Sequence, residues 1–144
     1  MRGRFAIQLL AALPAGLFAV LSLAACGSMK SPTGVADKFV DKYYVESDQQ
    51  SALQLAEGLA KVRLEAEVKL IGASRRGVEP GLLAAKVYYD RQAVEGEGGR
   101  RGVDYALHIK PQGGAGIERK AHLDLEQKPD GSWRVVRFSE TTPR

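Results

Sequence analysis

From Phe5 to Ala25 the chain carries no charged residue, and beyond Cys26 this apolar run gives way to periodic patterns. Val35, Phe39, Val40 and Tyr43 recur at helical spacing, with Asp37, Lys38, Asp41 and Lys42 on the other faces. Ser31-Pro32 opens this stretch with an N-cap residue and a proline suited to the first helical position, which predicts a helix over 32–45. Ser47, with Gln50 three residues on, resembles a capping box and starts a second helix over 48–57 that Gly58 ends or bends. Residues 59–71 fit two periods at once. Val62, Leu64, Ala66, Val68 and Leu70 alternate with charged residues as a half-buried strand would, yet Leu55, Leu59, Val62, Ala66 and Leu70 share one helical face. Good helix formers and the opposite-charge spacings Lys61–Glu65, Arg63–Glu67 and Glu65–Lys69 decide for helix, which predicts helix over 48–71.

After Glu79-Pro80-Gly81 the period becomes two. Leu83 to Val94 reads as a strand around Val87-Tyr88-Tyr89, and the glycine-rich stretch 95–102 reads as a loop. Val103, Tyr105, Leu107 and Ile109 alternate with polar residues, as do Ile117, Ala121, Leu123 and Leu125, with Gly113-Gly114-Ala115-Gly116 turning the chain between them. Lys128-Pro129-Asp130-Gly131 makes the next turn and Trp133 to Ser139 the last strand. The fold class is α+β: N-terminal helices packed on a curved four-stranded antiparallel meander sheet, one domain over 31–144. An amphipathic first helix, a short second helix, a curled sheet and the closing strand Asp130-Gly131-Ser132-Trp133-Arg134-Val135-Val136 resemble the nuclear-transport-factor-like, or cystatin-like, α+β cone. Proteins of that fold serve as exported lipoproteins, small-ligand binders, isomerases and assembly partners, so the resemblance implies no one activity.

The ends of the apolar run change the picture more than any internal motif. Arg2 and Arg4 precede it, Pro14 and Gly16 interrupt it, and Leu23-Ala24-Ala25-Cys26 closes it with small residues. This closing phrase resembles the bacterial lipobox. The resemblance implies a signal peptide over 1–25, cleavage between Ala25 and Cys26, diacylglycerol on the Cys26 sulfur and a further acyl chain on the new amino terminus. Residues 26–30 then form a short lipidated tether, and the domain stands outside the cytoplasm in the bacterial cell envelope, close to a membrane. Removing residues 1–25 from the 144 leaves 119 and lowers the net charge from +4 to +2, so the sequence pI of 9.3 overstates the basic character. Charge is dispersed, which does not favour nucleic acid as a partner. The expected partners are the membrane, through the lipid, and a protein of the envelope. No cofactor is expected beyond the covalent lipid.

Candidate chemistry is sparse. The doublets Arg75-Arg76 and Arg100-Arg101 are the candidates for contact with an anionic surface. His108 and His122 fall on the polar faces of neighbouring strands. A turn centred on Ala115 would oppose them directly; one centred on Gly114 pairs His108 with Lys120 and Lys110 with Glu118, and is preferred because it removes a Lys110–Lys120 clash. Two histidines fall short of a zinc site, so no metal is assigned. Tyr88, Tyr89, Asp90 and Tyr105 match the isomerases of the cone fold in residue type only, and no catalytic residue is assigned. Phe39, Tyr43, Trp133 and Phe138 are expected to fill the core, with Trp133 covering the sheet end near Phe39 or Tyr43.

Overall fold

The computed structural model describes residues 29–74 and 85–143. The expectations for Ala25, Cys26, Arg75 and Arg76 therefore lie outside the described residues. Helix α1 spans Pro32–Val40, with the Ser31 hydroxyl accepting from the Gly34 N–H at 3.2 Å. It buries Val35, Ala36, Phe39 and Val40 and continues as a π-turn over Asp41–Val45. Helix α2 (Gln49–Leu53) is capped by Asp48, whose side chain accepts from the Ser51 N–H at 3.0 Å. Ser47, the expected cap, sits at φ 54°, outside the extended backbone that an N-cap residue adopts.

Residues 59–71 are helical, as expected, within α3 (Gly58–Ser74). The continuous helix expected over 48–71 is nonetheless broken at 54–57. There the backbone pairs with the edge of the last strand: the Val135 N–H donates to the Leu55 carbonyl, and the Glu57 N–H to the Val135 carbonyl, each at 2.9 Å. Gly58, at φ 56°, then starts α3 rather than ending a helix. This break resets the helical phase. Ala60 and Leu64 enter the core, while Leu59, Val62 and Leu70, which share the face predicted to continue from buried Leu55, are 68, 65 and 69% exposed.

Strands β1 (Lys86–Glu95), β2 (Arg100–Lys110), β3 (Ile117–Gln127) and β4 (Trp133–Thr141) form an antiparallel sheet in chain order, curved and not closed. Irregularities at Gln92 in β1 and Val136 in β4 add to its twist. The loop expected over 95–102 contracts to 96–99, which places Arg100 and Arg101 in β2.

The β2–β3 register matches neither expected alternative. It centres on Gly113, pairing His108 with Glu118, Asp104 with His122 and Arg100 with Glu126. The preferred register would have set Asp104 against Asp124, and the other would have set it against Glu126. The observed one opposes unlike charges at all three positions.

Val103, Tyr105, Leu107, Ala121, Leu123, Leu125, Val135 and Phe138 are buried beneath the helices. Ile117, expected inward, is 44% exposed at the hairpin tip. Phe138, not Trp133, is the strand aromatic packed edge-on in the Phe39–Tyr43 cluster, with ring centroids 5.0 Å from Phe39 and 4.9 Å from Tyr43. Trp133 is buried at the other end of β4. Its N–H donates to the Met29 carbonyl at 2.9 Å, and the Arg101 guanidinium lies 5.6 Å from its ring centroid.

Candidate functional site

Three tyrosine hydroxyls reach carboxylates at the rims of the cone. The Tyr105 ring is fully buried between α1 and the sheet, and its hydroxyl donates to Asp37 Oδ1 at 2.7 Å. The other oxygen of Asp37 accepts from Arg91 Nη1 at 2.9 Å. At the opposite rim, Tyr43 donates to Glu67 at 2.9 Å and Tyr44 to Glu140 at 3.1 Å. Arg63 joins this second group: its Nε reaches Glu67 at 2.8 Å, and its guanidinium carbon lies 4.2 Å over the Phe138 ring. Tyr43 and Tyr44 lie in the π-turn, their ring centroids 4.7 Å apart in an edge-on contact.

Burial, reinforced by a carboxylate neighbour, holds Tyr43, Tyr44 and Tyr105 far above the usual phenol range and pushes Tyr89 up to about 12. All four are therefore neutral at physiological pH. The hydroxyls of Tyr43, Tyr44 and Tyr105 are already donating. A cone-fold isomerase needs a hydroxyl free to donate to a substrate oxygen and a carboxylate in an apolar setting. Here Asp37 is paired with Arg91, and Asp90 is an exposed partner of His108. Alternation along the strands revealed Tyr105. Asp37 comes from α1, and Arg63 and Glu67 from α3, whose facing depends on the break at 54–57.

Among the described residues, concavities open on the surface. One, of about 540 Å³, lies between Gly58 and Leu59 of α3, the Val136 bulge, and Arg100 to Gly102 of β2. Its arginines are engaged: Arg100 with Glu126 at 3.3 Å and Arg137 with Asp124 at 2.7 Å, while Arg101 donates to the carbonyls of Gly98 and Arg100 beneath its stacking on Trp133. Arg100 remains 83% exposed. The second, of about 340 Å³, lies over the outer face of the sheet and includes Asp104, Lys120, His122 and Ser139.

Across that outer face each histidine is held between two carboxylates. His122 Nδ1 lies 2.6 Å from Asp104 and its Nε2 3.2 Å from Asp124; His108 Nδ1 lies 2.6 Å from Glu118 and its Nε2 3.3 Å from Asp90. A carboxylate only accepts, so each ring satisfies both neighbours only as the doubly protonated imidazolium. The carboxylates sit on opposite nitrogens and cannot converge on one ion. Among the described residues no group of His, Cys, Asp or Glu is arranged to hold a metal.

The Asp104 hydrogen bond raises the pKa of His122, against the opposing effect of burial, and the Glu118 hydrogen bond does the same for His108. For raised values the stabilisation is complete below about pH 6.5 and fades as pH rises through the folded-state values. The unfolding midpoint should accordingly be higher near pH 6 than near pH 8.5. The His122 share is under about 1 kcal/mol, given its exposure. Asp104→Asn should flatten the dependence; an unchanged slope in that variant would show that the clamp contributes nothing.

No protein-family model matches the chain, and no curated protein matches it. Solved structures do. A ketosteroid isomerase-like protein from Erwinia carotovora superposes with a TM-score of 0.58 at 13% identity, covering 81% of this chain and 97% of that one. A putative calcium/calmodulin-dependent protein kinase type II association domain from Thiobacillus denitrificans gives 0.58 at 10% identity, covering 79% and 96%. A conserved protein from Planctomyces limnophilus gives 0.52 at 13% identity, covering 77% and 94%. At these identities the likeness establishes the fold, which is the nuclear-transport-factor-like cone.

Proposed function

We propose that this chain is a bacterial envelope lipoprotein, anchored to a membrane through diacylglycerol on Cys26, whose cone domain works through its surface as a binding module for another envelope component. The anchoring half rests on Leu23-Ala24-Ala25-Cys26 at the end of an uncharged apolar run. The binding half is carried by one observation: the hydroxyls of Tyr43, Tyr44 and Tyr105 are spent on Glu67, Glu140 and Asp37, around a core occupied by Phe39, Leu64, Leu107, Leu123 and Phe138. The outer surface is where recognition remains open. Arg100, exposed beside the larger concavity, is a natural contact for an anionic group.

A second reading, a small-molecule binder or isomerase-like protein, draws on the likeness to the ketosteroid isomerase-like protein. It requires the Tyr105–Asp37–Arg91 linkage to open and admit a ligand. Cross-linking in native membranes separates the two, since a recurrent protein partner favours the surface reading and a co-purifying small molecule the cavity reading.

For the anchor, Cys26→Ser should leave an uncleaved, lipid-free precursor. Mass spectrometry of the amino terminus checks this, and normal processing with detergent-phase partitioning in that variant would refute it. Any tether is short, because Met29 already packs against the core and its carbonyl is bonded to Trp133. Three residue steps separate it from Cys26, a reach of about 10 Å.

A further inference from the structure

The geometry points to the outward stripe of α3, Leu59, Val62 and Ala66, as a surface that rests on the lipid bilayer. This inference depends on the anchoring proposed above and adds which face of the domain meets the membrane. Leu59 and Val62 are 68 and 65% exposed, and Ala66 continues their line one turn on. The helix is fixed in this orientation from behind. Ala60 and Leu64 sit in the core, and Glu67 is held by Tyr43 and Arg63. The stripe therefore cannot be buried by rolling the helix.

Its position follows the anchor. Trp133 bonds Met29, and Val135, two residues along β4, bonds Leu55 just before α3 begins. Gly58, the first residue of α3, lies against Val136. The chain thus leaves for Cys26 from the same end of β4 at which the stripe starts. Lys69 borders the stripe at helical spacing, next to Glu65. Its aliphatic stem is suited to lie along the acyl boundary while the ammonium group reaches phosphates.

The apolar area is small for a free protein to bind a membrane. A lipid anchor no more than about 10 Å from the domain changes the requirement, because the second contact becomes intramolecular at millimolar effective concentration. A short stripe then suffices to orient the domain.

The mature protein has one native thiol, Cys26, which the lipid occupies under this reading. In Val62→Cys the introduced thiol would carry a polarity-sensitive fluorophore, with Gln92→Cys at the β1 bulge as the comparison. Both lipidated variants are reconstituted into phosphatidylethanolamine–phosphatidylglycerol vesicles containing brominated lipid. The expected result is a blue-shifted emission at position 62, quenched several-fold more strongly than at position 92. Equal, water-like emission at both sites, with mass spectrometry confirming diacylglycerol on Cys26, would overturn the docking face and leave the anchor standing. An unmodified Cys26 would overturn both. Efficient disulfide pairing between two copies through position 62 would assign the stripe to a second copy of the chain and overturn the bilayer assignment. So would an emission already blue-shifted without vesicles, which would mean that the protein covers the stripe itself.

Discussion

Trp133→Ala should lower the stability of the domain by about 3–5 kcal/mol, the usual cost of deleting a buried tryptophan ring. Against a typical total of about 5–15 kcal/mol this is a large share, and it should appear as a sharply earlier midpoint in chemical denaturation. The reason is position. The ring is 4% exposed at the start of β4, closes the core where Met29 arrives, and carries the Arg101 guanidinium above it. Removing it opens a cavity and leaves Arg101 without its platform. Full stability, combined with loss of a bound small molecule, would instead identify Trp133 as part of a ligand pocket and remove the filled-core argument for a binding module.

The second large effect tests the facing of α3. Leu64 is fully buried, and Leu64→Ala should cost about 2–5 kcal/mol. Leu59→Ala, at a position 68% exposed, should change stability by no more than about 0.5 kcal/mol. Measured side by side, the pair decides between the two phases of the helix. Similar losses in both variants, or the larger loss at Leu59, would mean that the helix packs by its 55–59–62–66–70 face.

Those two phases show where sequence reasoning succeeds and stops. Alternation in Val103–Ile109 and Ala121–Leu125 identified the strands and most of their inward residues, because one face of the sheet is covered and the other is not. Helical propensity and the Arg63–Glu67 spacing correctly placed a helix over 59–71, and that ion pair forms. The facing of α3 was not legible. It depends on Leu55–Glu57 leaving the helix to bond β4, a long-range event without a local signature beyond Gly58. The β2–β3 register was not legible for a related reason: Gly113 to Gly116 permits several turns, and only the observed one opposes unlike charges at Arg100, Asp104 and His108 together. The carboxylates that occupy the tyrosine hydroxyls come from different elements from the tyrosines, so no spacing rule connects them.

The backbone pairing of Leu55–Glu57 with Val135 has a consequence for self-association. An open sheet offers two edges to other chains. The edge of β4 near Val135 is already partnered by the chain's own backbone. That of β1 is kinked at Gln92 and lined by Lys86, Asp90 and Arg91. Bulges and charges on an edge strand discourage strand addition. Leu55–Glu57 thereby act as a selvedge, covering the Val135 stretch of the β4 edge while the outer face of the sheet stays exposed.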